Sequence, residues 1–459
     1  MEQITKPHCG ARLDRLPDCR WHSSMFAIVA FGLLVCWSNA VGGLILAQLK
    51  ALGWTDNSTT ATFSAITTAG MFLGALVGGI IGDKTGRRNA FILYEAIHIA
   101  SMVVGAFSPN MDFLIACRFV MGVGLGALLV TLFAGFTEYM PGRNRGTWSS
   151  RVSFIGNWSY PLCSLIAMGL TPLISAEWNW RVQLLIPAIL SLIATALAWR
   201  YFPESPRWLE SRGRYQEAEK VMRSIEEGVI RQTGKPLPPV VIADDGKAPQ
   251  SVPYSALLTG VLLKRVILGS CVLIAMNVVQ YTLINWLPTI FMTQGINLKD
   301  SIVLNTMSMF GAPFGIFIAM LVMDKIPRKT MGMGLLILIA VLGYIYSLQT
   351  SMLLITLIGF FLITFVYMYV CYASAVYVPE IWPTEAKLRG SGLANAVGRI
   401  SGIAAPYAVA VLLSSYGVTG VFILLGAVSI IVAIAIATIG IETKGVSVES
   451  LSIDAVANK

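Results

Sequence analysis

Gly82-Asp83-Lys84-Thr85-Gly86-Arg87-Arg88 closes one apolar segment of the chain, and Met323-Asp324-Lys325-Ile326-Pro327-Arg328-Lys329 closes another, half a chain later. Outward from this pair, two further landmarks keep nearly the same offset. Glu138-Tyr139-Met140-Pro141 returns as Glu380-Ile381-Trp382-Pro383, and Pro203-Glu204-Ser205-Pro206-Arg207 is answered by Ile441-Glu442-Thr443-Lys444-Gly445. Three matched landmarks in the same order mean that one unit occurs twice.

The unit is a membrane unit. The chain is 56% hydrophobic and 12% charged, with mean hydropathy +0.71. Soluble domains carry about 25% charged residues, so this chain has too few to cover a water-facing surface. Lipid is its expected solvent. Twelve apolar segments have roughly the ~20 residues a bilayer core requires. They fall at about 25–48, 61–81, 89–107, 112–136, 147–171, 181–202, 262–285, 303–323, 331–347, 352–373, 391–413 and 418–440. The expected fold class is all-α integral membrane, with twelve transmembrane helices in two six-helix pseudo-repeats. The expected organisation is an N-terminal stretch over 1–24, bundles over 25–202 and 262–440, a linker over 203–261 and a tail over 441–459. Inverted or tandem repeats of this kind are the mark of alternating-access carriers, in which two bundles rock about a central site.

Charge placement predicts orientation. Of the 33 Lys and Arg, all but Lys50, Arg118, Arg181, Lys299 and Arg399 cluster on one side of the predicted spans. The positive-inside rule places that side, and both termini, in the cytoplasm. The net charge of +9 is thereby a topology signal and not a nucleic-acid one. No cleavable signal sequence is expected in residues 1–24, which hold four cations and no small-residue cleavage site. None of the seven cysteines lies in an outer loop, so no disulfide is expected. His8, Cys9, Cys19 and His22 have no zinc-ligand spacing, and neither a metal nor another cofactor is expected. Within the linker, Tyr215 to Gly228 carries Ala218, Val221, Met222 and Ile225 on one helical face, with Gly228 as the predicted stop. Residues 231–253, rich in Pro, Gly and Asp, read as a tether.

The motifs resemble the major facilitator superfamily. Gly79 to Arg88 carries Asp83, Gly86, Arg87 and Arg88 in the family's loop pattern, and Glu138 with Arg145 matches its Glu-x6-Arg pair. Pro203-Glu204-Ser205-Pro206-Arg207, followed by Gly213-Arg214, resembles the sugar porters and their organic-ion relatives. Leu13-Asp14-Arg15-Leu16-Pro17, Trp286-Leu287-Pro288-Thr289, and Asn395 to Arg399 with Ala405-Pro406-Tyr407 resemble the organic-acid and organic-ion branch. Two departures stand out. The hexose-binding pattern expected near 275–281 reads Ala-Met-Asn-Val-Val-Gln-Tyr, and Trp37-Ser38-Asn39-Ala40 lacks the acid that relatives often carry in span 1. The resemblance implies a gating role for Asp83, Arg87, Arg88, Glu138, Arg145, Glu204, Arg207, Asp324, Arg328, Glu380 and Arg389. A carboxylate at Asp83 can cap a neighbouring helix or accept from Arg145. Contacts of that kind, made in one state and broken in the other, form the bistable element that switching requires.

Charges inside spans are costly and are functional candidates by default. Arg118 and Arg399 have no acidic neighbour at their own depth in the sequence. Each has two readings: a cation that recognises an anionic ligand, or a brace on backbone carbonyls. Glu95 shares a helix face with His98 and is the candidate proton-coupling site. Asn39, Asn157, Trp158, Tyr160, Asn277, Gln280, Tyr281, Asn285, Trp286, Asn305, Tyr369 and Tyr372 are the polar and aromatic candidates for substrate contact, with helix–helix hydrogen bonding as the alternative. Gly70, Gly74, Gly78 and Gly82 recur every fourth residue and let helices approach.

The resulting expectation is a proton-coupled symporter of an organic anion or sugar acid in a bacterial inner membrane. Its partners are a small-molecule substrate, protons and membrane lipid, with no nucleic acid, and the protein is expected to act as a monomer. A neutral sugar or polyol porter, or a uniporter, is the alternative. A non-transporting sensor would need a larger cytoplasmic domain than this linker and tail supply. No nucleophile–base set is legible, so an enzyme is not expected.

Overall fold

The computed structural model describes residues 7–17, 19–140, 145–240, 253–323, 325–383 and 386–444. All regular structure in them is helical. In chain order the helices are α1 (Cys9–Asp14), α2 (Arg20–Gly32), α3 (Trp37–Ala51), α4 (Asn57–Thr85), α5 (Arg87–Ala106), α6 (Met111–Tyr139), α7 (Arg145–Asn157), α8 (Ser159–Leu170), α9 (Ala176–Tyr201), α10 (Pro206–Ser211) and α11 (Tyr215–Thr233). There follow α12 (Tyr254–Leu257), α13 (Gly260–Thr293), α14 (Leu298–Met309), α15 (Gly311–Val322), α16 (Arg328–Ser347), α17 (Met352–Cys371), α18 (Val378–Glu380) and α19 (Lys387–Ile439).

Ten helical stretches among the described residues are long and apolar enough to cross a membrane. The last of these is two spans, because Gly417 breaks α19 at φ +66° and ψ −160°. The remaining span is α7 with α8, interrupted at Trp158. The count of twelve and the two-fold repeat agree with the sequence expectation. Leu76, Ile80, Trp199, Leu353, Val411 and Ile434 are all exposed, which a bilayer tolerates and water does not.

Several elements differ from expectation. The linker helix runs to Thr233 and stops at Gly234, whose φ is +64°, and not at Gly228. Val229 continues the buried face past Gly228, so apolar packing carries the helix through a residue of poor propensity. The stretch before span 1 also contains structure: α1 docks on the linker helices. A short 3-10 stretch, Leu33–Cys36, interrupts span 1, and a π-helical stretch, Tyr372–Tyr377, follows α17.

Contacts divide the chain into two compact units. Unit 1 comprises Met1–Asn39, Gly70–Ser159 and Leu184–Gly246; unit 2 comprises Ala40–Ala69, Tyr160–Gln183 and Lys247–Lys459. Unit 1 is built on α5, α6 and parts of their neighbours. The four-residue glycine period works here by close approach: a Cβ on Gly70 would lie 3.1 Å from the Val123 nitrogen, and one on Gly78 would lie 2.6 Å from the Ala127 Cα. Small residues thus let α4 and α6 pack backbone to backbone.

Unit 2 joins helices from both halves of the sequence. A Cβ on Gly43 of α3 would lie 2.5 Å from the Ile284 carbonyl oxygen of α13. Ala61 packs with Trp286, Ile290, Val409 and Leu413. Asn57 Nδ2 donates to Ser414 Oγ at 2.9 Å, Asn305 Nδ2 donates to Ser164 Oγ at 3.0 Å, and the rings of Tyr160 and Tyr367 meet edge to face at 5.4 Å. Unit 2 is therefore interlocked at the end that carries Lys50, Arg181 and Lys299.

Candidate functional site

Two cages of charge, one in each unit, repeat the same wiring. In unit 1, Gly86 turns the chain at φ +96°, and the first amides of α5 face Glu204. Glu204 Oε1 accepts from Arg87 N at 2.7 Å and from Arg88 N at 3.2 Å. The carboxylate that caps α5 is thus Glu204, and not Asp83 as the motif suggested. Asp83 lies exposed and accepts from Arg87 Nη1 at 2.7 Å, while its backbone oxygen accepts from Trp208 Nε1 and Arg212 Nη2. Arg87 Nε donates to Glu138 at 2.9 Å, and Tyr139 Oη donates to the Pro203 carbonyl at 2.6 Å.

In unit 2, Glu442 accepts from Arg328 N at 2.8 Å and from Lys329 N at 3.1 Å. Arg328 Nε donates to Glu380 at 3.0 Å, and Tyr377 Oη donates to the Ile441 carbonyl at 3.0 Å. Thr443 Oγ1 adds a 2.6 Å bond to Glu380. An anion at a helix N-terminus and an arginine bound to the carboxylate of the matching Glu-x-x-Pro landmark recur in both; Arg87 is forked between Asp83 and Glu138, whereas Arg328 takes both oxygens of Glu380 and the Met323 carbonyl. Burial pushes the Glu204 carboxyl above its usual range, against the pull of the backbone amides. For Glu442, burial raises it, but the amides of Arg328, Lys444 and Lys329 prevail and the carboxyl is held below its usual range.

The other gating candidates scatter. Arg88 donates to the Trp199 carbonyl; Arg207 donates to Asp14 at 2.9 Å; the Arg389 guanidinium lies 5.2 Å over the Tyr254 ring. Asp324 and the Arg145 side chain lie outside the described residues.

The membrane interior of unit 1 holds a polar cluster. Arg118 is 3% exposed and donates through Nη1 to the Ser38 carbonyl at 2.7 Å. Glu95 and His98 are fully buried. Asn39 is buried, at the last residue of unit 1 before the chain passes to unit 2. Asn157 returns its amide to Ser153 O of its own helix, and Trp158 stands exposed at the α7–α8 break.

In unit 2, α13 carries the amide series. Asn277 Nδ2 donates to Leu273 O within its own helix at 2.7 Å, and Gln280 faces Tyr367. Tyr281 abuts Gly402, where a Cβ would lie 3.1 Å from its ring. Asn285 is buried where α3 crosses α13 at Gly43. Trp286 is wholly enclosed in an apolar cluster. Tyr369 Oη donates to Val272 O at 3.1 Å, and Tyr372 stacks on Tyr377 with ring centres 5.0 Å apart. Arg399 is half-buried, with one guanidinium nitrogen, Nη1, meeting no hydrogen-bond partner.

The sequence reading did not single out Glu442, Tyr139, Tyr377, Ser38 or Ser191. Glu442 stood in the repeat alignment and was legible there. Tyr377 was not, because the alignment pairs Tyr139 with Ile381, and the second tyrosine reaches its carbonyl from the preceding turn. Among the described residues no group of three or more His, Cys, Asp or Glu could hold a metal ion.

Residues 26–406 match the description of the Major Facilitator Superfamily. The chain is 44% identical over 455 residues to the inner membrane metabolite transport protein YdjE of Escherichia coli (strain K12), covering 98% of this chain and 99% of that protein. It is 26% identical to the niacin transporter NiaP of Acinetobacter baylyi, covering 96% of this chain and 99% of the other. Among solved structures, the partially occluded inward-open xylose transporter XylE from E. coli superposes with TM-score 0.73 at 18% identity, covering 93% of this chain and all of that one.

Proposed function

The chain belongs to the Major Facilitator Superfamily, and from that premise we propose that it is a secondary transporter that carries a small organic anion together with protons across the bacterial inner membrane by alternating access. The observation that carries the substrate class is Arg118. It is a guanidinium held inside the membrane by a backbone carbonyl. Such a group keeps its charge, offers five N–H donors and reads a carboxylate bidentately. Niacin, for which the Acinetobacter relative is named, is a compound of that class.

The interlocked end of unit 2 is the cation-poor one, so it is the periplasmic end and both termini are cytoplasmic. The conformation is then the one with the periplasmic gate shut. The mirrored cages are the cytoplasmic hardware that rearranges in the other state, each a carboxylate–arginine set able to break and re-form.

Purified protein tests the substrate class by thermal stabilisation against small carboxylates, nicotinate included, beside neutral sugars and polyols. Ligand at 100 times its dissociation constant adds about 2.7 kcal/mol. A shift with a carboxylate that vanishes in Arg118→Ala is the expected result. A shift with neutral polyols alone, kept in Arg118→Ala, overturns it. That outcome would favour a second reading, a sugar or polyol porter. The amides of Asn277 and Gln280 support that reading, as does the 26% identity to the arabinose-proton symporter of Bacillus subtilis.

A further inference from the structure

Span 1 has no acid, yet unit 1 buries one elsewhere. Glu95 of α5 is 0% exposed, and neither of its carboxylate oxygens makes a well-formed hydrogen bond, with the Ser191 hydroxyl of α9 facing it. In a low-dielectric interior a carboxyl without a donor is held neutral, and its ionised form needs a partner such as an imidazole N–H. His98 lies one turn on, also 0% exposed. Its Nδ1 is 3.8 Å from Glu95 Oε2 and 3.4 Å from Ser191 Oγ of α9, and its Nε2 is 2.9 Å from Ser38 Oγ of α3. Arg118 of α6 holds the carbonyl of that same Ser38. The α6 backbone closes on His98 at Gly124, where a Cβ would lie 3.1 Å from it. Among the described residues, the charged group facing the imidazole is Arg118 from α6, with serines from α3 and α9 on the pair.

Ser38 occupies a special place in the chain. It follows the 3-10 stretch Leu33–Cys36, a local interruption of the span. It also lies one residue before the last residue of unit 1; from Ala40 the same helix belongs to unit 2. Ser38 thus receives the imidazole on its hydroxyl and the guanidinium on its carbonyl at the point where span 1 changes unit.

We propose that Glu95 and His98 are the proton-binding site of this transporter, and that Ser38 reports its occupancy to Arg118 and to the crossing point of span 1. With Glu95 protonated, its O–H faces imidazole Nδ1, and Nε2–H donates to Ser38. On release, the Glu95 proton passes to Nδ1 while the Nε2 proton leaves by way of Ser38. One proton is lost, the imidazole stays neutral, and Nε2 becomes an acceptor. Ser38 must then turn its hydroxyl to donate, which alters the residue whose carbonyl positions Arg118. No other bond is made or broken.

This assignment rests on the proton-driven reading, and its test needs no substrate. The whole protein, reconstituted in lipid, is titrated with acid and alkali under infrared difference spectroscopy. Wild type should show a carboxylic-acid C=O band that is lost on alkalinisation together with a change in the helical amide signal. Glu95→Gln should lack both, Glu95→Asp should keep both at a shifted pH, and His98→Asn should keep the acid band but lose the coupled amide change. An acid band unchanged in Glu95→Gln overturns the site. An amide signal that stays still while the band titrates overturns the relay and leaves a structural acid. Failure of the proton-driven reading looks different. A pH gradient would then fail to drive uptake of an established substrate in wild type, whatever the infrared result.

Discussion

The two cages differ at the level of single carboxylates, and the difference can be measured. Glu204 is pushed up by burial, so its ionised form is the strained one. Its contribution to stability is fully present below the unfolded carboxylate range and is lost as pH rises through its raised folded value. Glu442 is held down, so its contribution is present above that range and is lost as pH falls through the depressed value. Glu442→Gln is therefore expected to cost about 1.5–3 kcal/mol at neutral pH, the scale of hydrogen bonds to a charged group. Glu204→Gln should cost clearly less, and the pair of melting curves decides it. Asp83→Asn removes only the exposed arm of the Arg87 fork, so ligand binding should survive while turnover drops; normal turnover would remove Asp83 from the gate. The arginines of both cages were readable in the sequence because charges closing an apolar segment are conspicuous. Ser38 and Ser191 were not, since a lone hydroxyl in a span has no period and gains meaning only from the imidazole between them.

Among the elements, α1 is the least anticipated. Leu13-Asp14-Arg15-Leu16-Pro17 matched a family pattern without a physical role. The structure supplies one. Cys9, Leu13 and Leu16 enter an apolar cluster with Trp208, Ala218, Met222, Ile225 and Val229 of α10 and α11. Arg12 bonds to Glu219 and Glu226, and Arg15 bonds to Glu226 at 2.7 Å. Trp208 in turn donates to the Asp83 carbonyl, which ties this clamp to the unit 1 cage. The apolar face of α11 was legible from its spacing, but its docking partner was not, because α1 is too short to show a period. Burial alone would raise the Glu226 carboxyl, but the hydrogen bonds from Arg12 and Arg15 outweigh it and hold it below the usual range. Its stabilising contribution is thus present above the unfolded carboxylate range and is lost as pH falls through the depressed value. Amide hydrogen exchange over residues 9–16, corrected for its intrinsic pH dependence, should accelerate in that acid window and, at neutral pH, in Glu226→Gln. Cys9 gives a second readout. Burial, and then Glu210, push its thiol up to about 12, so alkylation at neutral pH should be slow until the clamp is undone.

At the scale of the molecule, the sequence repeat and the contact units do not coincide. Periodicity and charge reveal the twelve spans and the duplication, since both are properties of neighbouring residues. That 40–69 and 160–183 join unit 2 depends on pairs hundreds of residues apart, such as Gly43 with Ile284, which no local pattern records. Gly43→Val should prevent that close approach. A cysteine at Val409, buried in wild type, should then be labelled by an impermeant thiol reagent at least tenfold faster in a cysteine-free background. Unchanged labelling would mean that the interlocked end does not depend on this crossing.

The shared composition of unit 2 also bears on how the molecule comes into being. Synthesis proceeds from the N-terminus, and domains generally fold as they emerge. Unit 1 can close on itself once Tyr201 and the linker have left the ribosome. Ala40–Ala69 and Tyr160–Gln183 cannot, because Trp286, Val409 and Ser414 have yet to be made. For the time it takes to translate the second half, the polar ends of the first half stand in the bilayer without their final neighbours. Asn57 and Ser164 must meanwhile be satisfied by water, lipid headgroups or the insertion machinery. A nascent chain halted before Trp286 should accordingly be far more sensitive to proteolysis at the loops flanking Asn57 and Leu170 than the finished protein, although every helix of its first half is already in the membrane.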